Sequence, residues 1–216
     1  MDIILASIGH TALHVLNNDF QYDISDLIKQ YNVDLDRFIP STINAQREIA
    51  DGGIYGLPVG NSSAGLFYNK DLFDQFAVGY PSDDMTWDEA YEMAQRLTRE
   101  ENGTQYYGLK FSFQHMKNVN QLSQPLVDPE TNKVLYMDDN TIKMIQNFLR
   151  FYQIPGSETE FRPTLVGRTR ELFRTERTLA MFPHLSGEVN QLPDDMNWDV
   201  AALPRTQFAQ TSNRLY

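Results

Sequence analysis

Four histidines are the first candidates for chemistry: His10, His14, His115 and His184. His10 and His14 stand at i and i+4, the spacing that sets two imidazoles on one helix face for a zinc ion. Their stretch, "HTALH", lacks the glutamate that acts as base in the metalloprotease version, so a surface pair at a helix start is the simpler reading. Three carboxylate pairs have the residue types of a glycoside hydrolase acid and base: Asp83/Asp84, Glu158/Glu160 and Asp194/Asp195. Each lies beside Pro, Gly or Ser, where solvated turn carboxylates are the ordinary outcome. There is no G-x-S-x-G, P-loop or dinucleotide fingerprint, and "GGIYG" has the wrong spacing to cradle phosphate. The residues supply no catalytic set and call for no cofactor and no metal.

Neutral hydrogen-bonding loops are the stronger pattern. They are Ser7-Ile8-Gly9-His10, Gly60-Asn61-Ser62-Ser63, Phe113-Gln114-His115-Met116 and Pro183-His184-Leu185-Ser186. Each is expected after a strand, and open α/β sheets hold ligands at the carboxyl ends of their strands. Ser7, His10, Asn61, Ser62, Ser63, Gln114, His115 and His184 can donate to and accept from hydroxyl groups there. Ordinary turn chemistry uses the same residue types, so that alternative stays open.

The elements that must position these loops follow from periodicity. Ile3-Ile4-Leu5-Ala6 reads as a short strand buried on both faces. Ile24, Leu27, Ile28 and Tyr31 form an amphipathic helical stripe. Residues 33–53 carry no single pattern and end in a Gly pair, a turn signal. In "IYGLPVGNSSAGLFYNKDLF", strand-like Ile54–Val59 and Leu66–Tyr68 flank the small polar segment Gly60–Ala64. Asn69-Lys70-Asp71 then looks like a strand end entering a helix. Thr86-Trp87-Asp88-Glu89 is a capping box for a helix that buries Ala90, Met93, Ala94 and Leu97. "QYYGLKFSF" reads as a strand. A hairpin-like turn precedes a helix capped near Asp138 or Asp139, with Ile142, Ile145, Phe148, Leu149 and Tyr152 inward. "GRTRELFRTERTLAMFPH" gives a charged helix and then a strand, and "NWDVAALPRT" gives the last strand. Alternating strands and helices predict an α/β fold.

Composition narrows the function classes. The 216 residues allow one large domain or two small ones, and 41% hydrophobic content supports a buried core. The formal charge of -11, with no basic run, opposes nucleic-acid binding. No cysteine is present, so disulfides and Cys-ligated metal centres are excluded. No apolar run has the length of a membrane-spanning helix, and "MDIILASIGH" is not a signal peptide.

Taken in order, "YGLPVGNSSAGLFYNKDLFDQF", "YPSDDMTWDEAYEMAQRLT", "YYGLKF", "LFRTERTLAMF" and "WDVAALP" closely resemble the extracellular solute-binding proteins of ABC sugar importers. The likeness covers nearly the whole chain and points to the lipoprotein branch common in Gram-positive bacteria, similar in pattern to maltose-binding protein. It implies a periplasmic-binding-protein-like type II α/β fold of two lobes joined by hinge strands. Residues 1–60 would be part of an incomplete first lobe, 61–204 a nearly complete second lobe, and 205–216 a return into the first. Gly60–Ala64 would be a hinge strand facing the ligand cleft, with Leu203-Pro204-Arg205 the return crossing. Two departures stand out. The family member's sugar-binding acid within the Asn61–Ser63 segment is Ser62 here, and its stacking aromatics after the "AM" strand are His184 and Leu185.

The resemblance implies a central fragment of a non-enzymatic protein that captures a sugar or oligosaccharide and presents it to an ABC permease. It implies an extracellular protein anchored through a lipidated N-terminus outside this sequence. Missing first-lobe pieces would leave Ile3, Ile4 and Leu5 uncovered and favour self-association of the fragment. A glycoside hydrolase and a ligand-sensing receptor domain are the alternatives.

Overall fold

The computed structural model describes residues 3–122, 127–128, 131–135, 137–157 and 166–206. The chain divides into two compact units, one running through Asn61 and the other starting at Ser62.

The first unit is helical. It contains α1 (Thr11–His14), α2 (Ser25–Gln30) and α3 (Pro40–Ile49). Its core joins buried Ile28, Ile43 and Ile54, with Ile24, Val33, Leu35, Phe38 and Leu57 packed around them. Asp23 ties the start of α2 to the end of the unit. Its Oδ1 accepts from Ser25 N at 2.9 Å and from Ile54 N at 3.2 Å, while Ile24 N donates to Ile54 O at 2.8 Å. The Ser25 hydroxyl, which donates to Oδ1 at 2.6 Å, and the Ser25 and Ile54 N–H groups hold the Asp23 carboxyl below the ordinary carboxylate value.

Several expectations fail in this unit. Ile3–Ala6 form no strand, and Ile3 and Leu5 are 87% and 81% exposed. A strand needs a neighbour for its backbone groups, and among the described residues none pairs with this segment. Ile54–Val59 also lack a ladder: Ile54 is fixed at one point and Val59 is exposed. Of the α2 stripe, Ile28 is buried and Ile24 partly so, while Leu27 and Tyr31 face solvent. The patternless stretch holds α3. Pro40 starts it, a position where the missing N–H costs nothing, and Ile43 alone among its residues is fully buried, which leaves little periodic signal.

The second unit is built on a five-stranded mixed sheet. Its strands are β1 (Ala64–Asn69), β2 (Arg99–Glu101), β3 (Thr104–Leu109), β4 (Leu179–Leu185) and β5 (Trp198–Ala202), in the order β2-β3-β4-β1-β5. Only β3 and β4 pair in parallel; β1 runs antiparallel to both β4 and β5, and β2 to β3. The helices are α4 (Lys70–Gln75), α5 (Trp87–Leu97), α6 (Phe113–Asn118), α7 (Asp139–Leu149) and α8 (Val166–Arg174). Both sheet faces are covered, so β1 and β4 read as continuous apolar runs. Leu66, Tyr68, Leu109 and Met181 pack with α4, α5 and α7 residues, while Phe67 and Phe182 pack with Leu172 and Phe173 of α8.

Local signals act as expected here. Asn69 ends β1 and caps α4, its side chain accepting from Asp71 N at 3.1 Å. Thr86 and Glu89 form the reciprocal capping box of α5. Asp138 caps α7, but the buried face is Thr141, Met144 and Phe148. Ile142 and Leu149 are only partly buried, so the expected face is turned by about one residue. The "QYYGLKFSF" strand stops at Leu109, because Ser112 already begins α6. The outward N–H groups of β5 at Val200 and Ala202 are taken by the carboxylates of Asp199 and Asp83 at 2.8 and 2.9 Å, which blocks strand addition at that edge. Among the described residues no helix is long and apolar enough to cross a membrane.

Candidate functional site

Strand directions gather the predicted polar groups of the second unit at one end of its sheet. The carboxyl ends of β3, β4 and β5 lie there with the amino end of β1. Ser62 and Ser63 therefore precede a strand rather than follow one. Both are exposed. Ser63 donates its N–H to Ser186 Oγ at 3.3 Å, and its carbonyl accepts from Ser186 N at 2.7 Å, which zips this segment to the exit of β4. His184 and Leu185 are the last residues of β4, opposite Gly65 and Ala64. Gln114 and His115 are exposed in the first turn of α6, which is a helix where a loop is expected from the sequence. Ser112 Oγ holds His115 Nδ1 at 2.8 Å. The His115 and His184 rings lie 6.3 Å apart, and His184 rests on Phe182 at 4.9 Å.

Beneath His184 sits a fully buried carboxylate. Glu188 lies in the 3-10 turn Ser186–Gln191 that follows β4. Arg170 and Arg174 are one helical turn apart on α8 and so share a face. Arg170 Nε donates to Glu188 Oε2 at 3.2 Å, and Arg174 Nε to Oε1 at 2.5 Å. Arg174 also donates to Gln191 Oε1 at 3.1 Å. A carboxylate so far from water persists only with such partners. His184 Nδ1 lies 3.2 Å from Glu188 Oε2, and Arg170 Nη2 lies 3.4 Å from His184 Nε2. Burial pushes the His184 imidazole below its ordinary value; the Glu188 carboxylate opposes this, and Arg170 and His115 reinforce it. At neutral pH the ring is uncharged. The Arg170 Nη2 donor takes the Nε2 lone pair, which assigns the proton to Nδ1, near Glu188 but without a hydrogen bond to it. The end of the sheet is thus a set of oriented donors and acceptors on a rigid base.

Ser7, His10 and Asn61 belong to the first unit. All three are exposed, and the His10 ring meets the His14 ring edge-on at 5.5 Å. Neither Ser7 nor His10 follows a strand. Three of the paired carboxylates serve the fold. Asp83 accepts from Ala202 N, Asp84 from Ser82 Oγ at 2.7 Å, and Asp195 holds Arg177 at 2.7 Å. Glu158 and Glu160 lie outside the described residues. Arg170, Arg174, Glu188 and Ser112 escape sequence reasoning. The i, i+4 arginines are its only trace, and they read as a solvated helix face. A cavity of about 360 Å³ opens elsewhere in this unit, among residues of α5, α6 and α7 and the chain after β5. Met116, Met144, Phe148 and Leu203 line it, and none of the predicted site residues does.

Comparison with solved structures shows the same fold. The chain is similar to an ABC substrate-binding protein of Listeria monocytogenes in complex with cycloalternan, with 20% identity and a TM-score of 0.72 over 93% of this chain and 50% of that one. It is similar to an ABC transporter solute-binding protein of Thermotoga lettingae bound with α-D-tagatose, with 16% identity and a TM-score of 0.68 over 92% and 53%. A maltose-bound MalE3 of T. maritima matches at 20% identity and a TM-score of 0.64 over 88% and 49%. The chain spans about half the length of the structures it matches. The fold is the type II periplasmic-binding-protein-like α/β class. The sequence profile of the bacterial extracellular solute-binding proteins matches residues 2–147, more than half of the chain, and this chain belongs to that family.

Proposed function

We propose that this chain is part of a solute-binding protein that captures a sugar or oligosaccharide for an ABC importer and catalyses no reaction. The observation that carries this reading is the exposed set Ser62, Ser63, Gln114 and His115, with Leu185 and the half-buried His184 beside them, at one end of the second unit's sheet. Neutral donors and acceptors of this kind match sugar hydroxyls, and of the candidate hydrolase carboxylates Asp83, Asp84 and Asp195 are engaged in hydrogen bonds and an ion pair instead. Cycloalternan, tagatose and maltose in the similar structures support the same ligand class. Ser7, His10 and Asn61, exposed in the first unit, are that unit's proposed ligand-binding residues. Residues 1–60 belong to a first lobe and 61–204 to a second; of the return proposed over 205–216, residues 207–216 lie outside the described residues.

Family membership implies an extracellular or periplasmic location. Anchoring through a lipidated N-terminus, delivery to a membrane permease and self-association of the isolated fragment complete the proposal. The test is calorimetry of the full-length protein against neutral mono- and oligosaccharides, together with Ser62→Trp. Saturable binding without turnover is expected. The variant should bind at least about tenfold more weakly while melting at an unchanged temperature, since the Ser62 side chain is exposed. Release of free sugar from a glycoside, or unchanged affinity in Ser62→Trp, overturns the reading.

A further inference from the structure

The charges around Glu188 do not balance. The buried carboxylate holds two guanidinium groups, and His184 between them is neutral. One positive charge is left over at the end of the sheet, in a protein whose formal charge is -11. It is not dispersed by nearby acids of α8: Glu171 is bound by Arg168, as is Glu176 just beyond the helix. The two arginines share the load unequally. The Arg174 side chain is 16% exposed and occupied by both Glu188 and Gln191. That of Arg170 is 34% exposed; it gives Nε to Glu188, turns Nη2 toward His184, and among the described residues Nη1 has no partner. Arg170 is therefore a cation clamped by a buried group from below and open on its other side. It is linked through His184 to His115, and through the turn carrying Glu188 to Ser186 and Ser63.

We propose that Arg170 makes this sheet end an anion subsite, and that the captured saccharide carries an anionic group, a uronate carboxylate or a sulfate or phosphate ester. The inference rests on the sugar-capture reading above and narrows it. A guanidinium held by Glu188 is pre-oriented, so its remaining N–H groups meet an anionic oxygen with little loss of side-chain freedom. The exposed His115 ring, 6.3 Å from that of His184, and the exposed Ser63 leave room for hydroxyl contacts beside the charge. A wholly neutral sugar would leave this donor facing no acceptor of matching charge.

The experiment is calorimetry on the full-length protein with six probes: galactobiose, digalacturonate, maltose, maltose 6′-phosphate, lactose and a monosulfated lactose. The uronate arm and the ester arm separate the two sources of charge. An anionic probe should bind about ten- to a hundredfold tighter than its neutral counterpart, with affinity falling as salt rises. Arg170→Gln should erase that preference and Arg170→Lys should restore part of it. Arg170→Gln leaves Glu188 paired with Arg174, so the buried charges balance in that variant, and it must lose the preference while keeping the fold by circular dichroism. Tight binding of neutral sugars that is indifferent to Arg170→Gln overturns the anion subsite and leaves sugar capture standing. Absence of binding by every neutral and anionic probe overturns both.

Discussion

Gly108→Ala is the substitution whose cost can be worked out most directly. Gly108 is buried in β3 where that strand crosses α5. A Cβ there would lie 2.1 Å from Ala94 O, 2.4 Å from Ala94 Cα and 2.6 Å from Ala94 C. Ordinary contact starts near 3.4 Å, so strand and helix would have to part by about 1.3 Å. The opposing atoms are backbone of a helix interior and cannot swing aside. The same crossing is tied by two hydrogen bonds: Gly108 N–H donates to Thr98 Oγ1 at 2.9 Å, and Thr98 Oγ1 donates to Ala94 O at 2.7 Å. Overpacking typically costs about 1–3 kcal/mol, and weakening these bonds adds about 1 kcal/mol each. The sum is about 3–5 kcal/mol, a fall in Tm on the order of 10 °C for a chain of this size. Thermal and urea unfolding followed by circular dichroism give the number. Ala94→Gly in the same background should not rescue it, since the clash is with atoms that glycine retains. A loss below about 1 kcal/mol, or full rescue by Ala94→Gly, would refute the reasoning.

Two further outcomes follow from local chemistry. Thr86→Ala removes the hydroxyl that accepts from Glu89 N at 3.3 Å and donates to Glu89 Oε2 at 2.8 Å; it should cost about 1 kcal/mol, read from the midpoint of a urea titration. Lys110 is buried over the Tyr107 ring with Nζ 3.0 Å from Ser157 O, and burial, with Arg168 nearby, lowers its value from 10.5 to about 8. Below pH 8 the group is charged in both states and the burial cost is fully felt. Between pH 8 and 10.5 the unfolded chain binds a proton that the folded one does not, so this group's contribution makes stability rise with pH. Urea denaturation at a series of pH values should show that Lys110→Met flattens this rise; an unchanged slope would count against it.

The second unit is far more legible in sequence than the first, for a physical reason. Wherever a signal is closed within a few residues, the sequence by itself determined the outcome. Thr86 and Glu89 reach only each other, Asn69 reaches Asp71, and the apolar runs of β1 and β4 report burial on both faces. The grouping of Ser62, Ser63, Gln114, His115 and His184 was legible as a list of polar loop residues, because hydrogen-bonding groups at element ends can be named without knowing where those ends go.

Tertiary structure alone decided the rest. Ile3–Ala6 has the composition of a buried strand, yet burial needs a neighbour that the segment itself cannot encode, and Leu5 is 81% exposed. Gly60–Ser63 could equally follow a strand or precede one; the antiparallel placement of β1 beside β4 puts Ser63 against Ser186 across 123 positions of sequence. Glu188 is the clearest case. In sequence it is one of many acidic residues in "SGEVNQ"-like polar turns, indistinguishable from those that meet solvent. Only the packing of α8 against β4 brings two arginines and an imidazole around it, and only that packing turns Arg170 from a solvated helix residue into an oriented cation. Charge and spacing are local properties, but desolvation and the partners that compensate for it are set by chain segments that meet only in the folded protein.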